Sequence, residues 1–70
     1  MRANLEKLSF EERIVIVVRE ADRPLTVNVI SSATGINCQY TTSQLSIGLE
    51  KEGRLERTGE FYSPGENHGN

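Results

Sequence analysis

The stretch Leu49-Glu50-Lys51-Glu52-Gly53-Arg54-Leu55-Glu56-Arg57 decides how this chain folds. Upstream of its glycine, Thr42, Leu45 and Leu49 recur at spacings of three and four, the period of one helical face. Downstream, Leu55-Glu56-Arg57 alternates apolar and charged residues, the period of a strand. Gly53 suits the residue that closes a helix. These residues therefore predict a helix that runs to Glu52 and passes straight into a strand.

Beyond the junction, Arg54 to Tyr62 reads as two short strands around a Thr58-Gly59 turn. That turn sets Arg57 opposite Glu60, Glu56 opposite Phe61 and Leu55 opposite Tyr62, with Leu55 and Tyr62 on the face that packs against helices. From Ser63 to Asn70 the sequence SPGENHGN has no large apolar residue. Residues 63–70 are expected to form a disordered tail in which His68 is inert.

Upstream, the third helix is expected to begin between Asn37 and Gln39. Before it, Thr26 is the expected N-cap of a short helix from Val27 to Ala33, with Val27, Ile30 and Ala33 inward. Gly35 suits the left-handed residue that ends this helix, and Ile36 the apolar plug after it. Ser9-Phe10-Glu11-Glu12 has the form of a capping box and starts the first helix at Phe10. Phe10, Ile14, Val17, Val18 and Ala21 repeat at helical spacing, with Arg13, Arg19, Glu20 and Asp22 on the other side. The β-branched run Ile14 to Val18 favours a strand on propensity, but the capping box and the charged flanks decide for helix. Pro24 ends it near Asp22. The expected fold class is α+β, mainly α: a three-helix winged helix-turn-helix with a short C-terminal β-hairpin wing. It occupies residues 9–62 as one domain, with residues 1–8 as an N-terminal extension.

A chain of 70 residues is near the lower limit for one unstapled hydrophobic core, which leaves little room for a walled active-site cleft. The sole cysteine, Cys38, excludes an intramolecular disulfide, and with His68 as the sole histidine no tetrahedral zinc set can be assembled within one chain. No cofactor or metal site is expected. Nor do these residues supply a nucleophile, base and oxyanion site, so no enzyme is expected; Glu11 and Glu12 serve capping. The N-terminus lacks an apolar signal core and the Ile14–Val18 run is far too short to span a bilayer, which predicts a cytoplasmic protein with no membrane partner.

The segments Pro24-Leu25-Thr26-Val27 and Ala33-Thr34-Gly35-Ile36, with Leu45 and the stretch from Leu49 to Arg57, resemble the winged-helix core of MarR-type transcriptional regulators. They are also similar to the very small PapI/FaeA-like fimbrial regulators. The resemblance covers roughly Ser9 to Tyr62. It departs at one place, where an extra residue between Gly35-Ile36 and Gly53 is assigned to Asn37-Cys38-Gln39. The resemblance implies sequence-specific binding of double-stranded DNA and transcriptional regulation, with the third helix in the major groove and the wing on the backbone.

With Thr42, Leu45 and Leu49 inward, Gln39, Tyr40, Ser43, Gln44 and Ile47 lie outward. Gln39 or Gln44 suits adenine N6 and N7, Ser43 a base or a phosphate, and Tyr40 a phosphate or a thymine methyl. Arg54 and Arg57 are expected to track phosphate or reach the minor groove from the wing, and Thr26 to present the second helix's N-terminus to another phosphate. A small monomer makes few phosphate contacts, so either a homodimer or tandem binding to several sites is expected, with Val15 and Ile16 as exposed candidate dimer contacts.

Each feature also has a plainer reading: Tyr40 as core over the turn, Arg57 with Glu60 as a cross-strand ion pair, Cys38 as structural. Eight Lys and Arg against ten Asp and Glu give a net charge of −2, and no Arg or Lys lies within Gln39–Leu49. Those two facts favour the alternative, a winged-helix protein-protein interaction module or adaptor that does not bind DNA.

Overall fold

The computed structural model describes residues 7–65. Its elements follow the order α1 (Phe10–Glu20), β1 (Leu25–Thr26), α2 (Val27–Thr34), α3 (Gln39–Lys51), β2 (Leu55–Thr58) and β3 (Phe61–Pro64). The fold is α+β, mainly α, with α2 and α3 joined by a tight turn and β2 and β3 forming the hairpin.

The capping box forms in full: Ser9 N–H donates to Glu12 Oε1 at 3.1 Å, and Glu12 N–H donates to Ser9 Oγ at 3.2 Å. That nucleus, with burial of Ile14, Val15 and Val18, outweighs the strand propensity of the aliphatic run. The helix ends at Glu20, short of Asp22, with Ala21 as its extended C-cap. Unwinding there lets Arg23 and Pro24 carry the chain into a sheet.

Three expectations for α1 are corrected. Phe10 is 43% exposed and lies under the Arg13 guanidinium, 5.1 Å from its ring centroid, rather than in the core. Val15 is 5% exposed and belongs to the core, which removes it as a dimer contact. Arg13 is half-buried, donating to Leu8 O at 3.2 Å and to Thr34 O at 3.5 Å. It sets a cation at the C-terminal end of α2, where the helix dipole favours one.

α2 starts at its predicted N-cap, with Val29 N–H donating to Thr26 Oγ1 at 3.4 Å, and ends on Gly35 at φ 78°. Ile36 plugs the core as expected. Ala33, however, is exposed, and the inward positions after Ile30 are the polar Ser31 and Thr34. Their hydroxyls staple the turn: Ser31 Oγ donates to Ile36 O at 2.6 Å and Thr34 Oγ1 to Ile30 O at 2.7 Å. A buried carbonyl without such a donor is costly, which explains hydroxyls where a hydrophobe was expected.

α3 starts at Gln39 behind Cys38 and ends in a Schellman arrangement around Gly53 at φ 82°. There Arg54 N–H donates to Leu49 O and Gly53 N–H to Glu50 O, both at 3.0 Å. Thr42, Ser46 and Leu49 form its buried face.

The hairpin register differs from expectation. Thr58 pairs with Phe61 and Arg57 with Tyr62, so the turn residues are Gly59 and Glu60. Gly59 has φ 64° and Glu60 is not in the positive region, the pattern of a type II′ turn. The Thr58-Gly59 alternative is the frame in which a type I′ turn would put a β-branched residue at positive φ. The shift is by two positions, so Leu55 and Tyr62 still share the inner face, and exposed Arg57 now stands opposite Tyr62 instead of Glu60.

β3 also extends past Tyr62 through Pro64, and Gly65 is buried, so the predicted tail does not begin at Ser63. Its remainder, with His68, lies outside the described residues, as does most of the predicted N-terminal extension. A strand not anticipated, β1, pairs Leu25 with Tyr62 and Thr26 with Phe61, giving the sheet order β1-β3-β2. One core then joins Ile14, Val15, Val18, Leu25, Ile30, Ile36, Leu49, Leu55 and Tyr62.

Candidate nucleic-acid interface

The outer face of α3 is set by what its inner face buries. With Thr42, Ser46 and Leu49 inward, Tyr40, Ser43, Gln44 and Ile47 follow i, i+3, i+4, i+7 spacing along one stripe. Tyr40 is 73% exposed, which removes it from the core, and Gln44 is exposed; Ser43 and Ile47 are half-buried.

The helix start is held by Cys38, whose Sγ accepts from Thr41 N–H at 3.4 Å. Hydrogen bonding from the Thr41 hydroxyl, then from its amide, draws this exposed thiol below its ordinary range. Cys38 thus acts as an N-cap, a structural role.

Between the start of α2, the middle of α3 and the hairpin lies an open groove of about 480 Å³. Thr26, Asn28, Ser43, Ile47, Arg57 and Tyr62 line it. Three of the predicted site residues, Thr26, Ser43 and Arg57, are therefore brought together from three elements. Thr26 is half-buried, and its hydroxyl is committed to capping α2.

Arg57 reaches from the hairpin toward α3. Its Nε donates to Glu50 Oε1 at 3.0 Å and its Nη1 to Gly59 O at 2.9 Å. The bond and charge of Glu50 raise the already high guanidinium pKa. The ion pair thus forms with Glu50 of α3 and not with Glu60. A guanidinium carries five N–H donors, so these bonds leave donors available to a further acceptor. No family model, curated protein or solved structure matches the chain.

Gln39 is exposed at the first position of α3, and its Nε2 donates to Asn28 Oδ1 of α2 at 2.7 Å. Arg54 does not join this surface. It sits in the connection before β2, half-buried, and lines a shallow depression with Val15, Ile16 and Arg19 of α1. The sequence pattern placed it in the wing because the strand was read as starting one residue early.

Two residues absent from the predicted set belong here: Asn28, bonded to Gln39, and Glu50, bonded to Arg57. Neither pairing has a local signature, since one spans the helix-turn-helix and the other joins a helix to a hairpin. Among the described residues, no group of three His, Cys, Asp or Glu side chains is placed to hold a metal ion, and no helix is long and apolar enough to cross a membrane.

Proposed function

We propose that this chain binds double-stranded DNA in a sequence-specific way and regulates transcription, with α3 in the major groove and the β2–β3 hairpin on the backbone. The observation that carries this is the exposed polar stripe on the first half of α3, flanked by a groove into which Arg57 reaches from the hairpin. A helix fits the major groove when its exposed face offers donors and acceptors to base edges, as exposed Gln39 and Gln44 do, with half-buried Ser43 between them. Arg57 and the first turn of α2 then fall where backbone phosphates run on either side of an inserted helix. Such a regulator acts in the cytoplasm, as a homodimer or on adjacent sites.

Two observations favour a second function, a protein-interaction adaptor. Arg57 is already neutralised by Glu50, and exposed Tyr40 suits a protein partner as well as a phosphate. Selection of bound sequences from a random duplex pool separates the two. DNA reading predicts enrichment of a short motif, palindromic for a dimer; a pool indistinguishable from its input would contradict it.

A further inference from the structure

We infer that Asn28, on the helix preceding α3, positions Gln39 to read an adenine. This rests on the DNA-binding proposal and assigns a specificity role to a residue outside the expected contact set. The Gln39 amide has two N–H donors and one carbonyl acceptor. Asn28 Oδ1 takes one of those donors at 2.7 Å, although both side chains are exposed.

What remains on Gln39 is one N–H and the Oε1 acceptor, side by side on one amide. That set complements the adenine major-groove edge, where N7 accepts and N6–H donates. Guanine offers two acceptors, N7 and O6, and sets O6 against Gln39 Oε1. Without Asn28 the amide is free to turn over and present two N–H donors; the Nε2–Oδ1 bond holds it with Oε1 and one N–H toward the ligand. A side chain already ordered loses less rotamer freedom on binding. Gln44, five residues further along α3, has no corresponding bond among the described contacts, so Gln39 is the amide that such a bond orients.

The test uses the full chain and the duplex motif enriched from a random pool. Affinities are measured for that motif and for versions carrying guanine or 7-deazaadenine, which lacks the N7 acceptor, at each adenine in turn. The wild type is expected to discriminate roughly 5- to 150-fold against guanine at one adenine, the range of a good bidentate contact. Gln39→Ala abolishes that preference, and Asn28→Ala reduces it several-fold at the same base pair while leaving other positions unchanged. Asn28→Asp keeps the acceptor and retains the preference, even as its charge weakens binding to all duplexes.

The inference is overturned if Asn28→Ala lowers affinity equally for every sequence, if Asn28→Asp also loses the preference, or if the Gln39-dependent base is not adenine. A wild type that enriches no motif removes the DNA-binding proposal and this inference together. An enriched motif with an Asn28-independent preference removes only the role of Asn28.

Discussion

Gly65 N–H donates to Arg54 O at 3.0 Å, and a Cβ on Gly65 would meet Gly53 O, Arg54 C and Leu55 N. All three are backbone atoms where α3 hands over to β2, so they cannot turn aside as a side chain can. Gly65→Ala should therefore destabilise the fold by about 1–3 kcal/mol, the scale of overpacking. The urea midpoint should fall at constant m-value; an unchanged midpoint would show that Gly65 is not docked against that junction. Tyr62 gives a second prediction at this scale. Burial raises its phenol pKa above 10, a shift that nearby Arg57 opposes. The native state then holds the proton more tightly than the unfolded chain. This contribution is fully present below about pH 10 and is lost as pH rises through that value toward the folded pKa. Urea midpoints should fall more between about pH 8 and pH 11 for the wild type than for Tyr62→Phe, and equal losses would refute the assignment. The Ser9–Glu12 box could be read directly from the chain because both partners lie within one turn. Arg13 could not, because its acceptor, the Thr34 carbonyl, is remote in sequence and set only by how α1 packs on α2.

The turn between α2 and α3 depends on hydroxyls rather than on apolar burial alone. Ser31→Ala leaves the buried Ile36 carbonyl without its 2.6 Å donor and should cost about 1–3 kcal/mol in chemical denaturation. A neutral effect would mean that another group satisfies that carbonyl. Between α3 and the hairpin, the division of labour is testable by paired substitutions. Gln44→Ala should reduce discrimination among duplex sequences, while Arg57→Ala should weaken binding to all of them similarly. Equal effects of both on specific and random DNA would show that α3 does not read bases. The helices were legible because capping residues and left-handed glycines mark their ends with local chemistry. Two features escaped. β1 is only Leu25–Thr26, too short for any alternation to register, and it exists because β3 offers an edge to pair with. The hairpin register turned on which residue takes positive φ: the expected Thr58-Gly59 turn starts at Thr58, whereas the turn formed, Gly59-Glu60, starts at the glycine. The exposure of Tyr40 and Gln44 was legible from helical period, whereas Ser43 and Ile47, expected outward with them, are half-buried against the groove. Arg54 was not, because a one-residue difference in strand start moves it from the wing to the α1 side.

At the scale of the molecule, the described residues span 26 × 26 × 21 Å. A helical turn of duplex is about 34 Å, so one copy covers less than a turn and touches few phosphates. With a net charge of −2, attraction to DNA must come from local placement of cations rather than from the overall field. On this surface the placed cation is Arg57, shared with Glu50, and α2, which carries no Lys or Arg, adds only the backbone N–H groups of its first turn. The most direct measurement is therefore electrophoretic mobility shift on random duplex DNA at two salt concentrations. The account predicts binding at low salt that weakens as salt rises, with a modest log–log slope set by few phosphate contacts and shallower by about one for Arg57→Ala. No binding at low salt, or binding indifferent to salt, would contradict it.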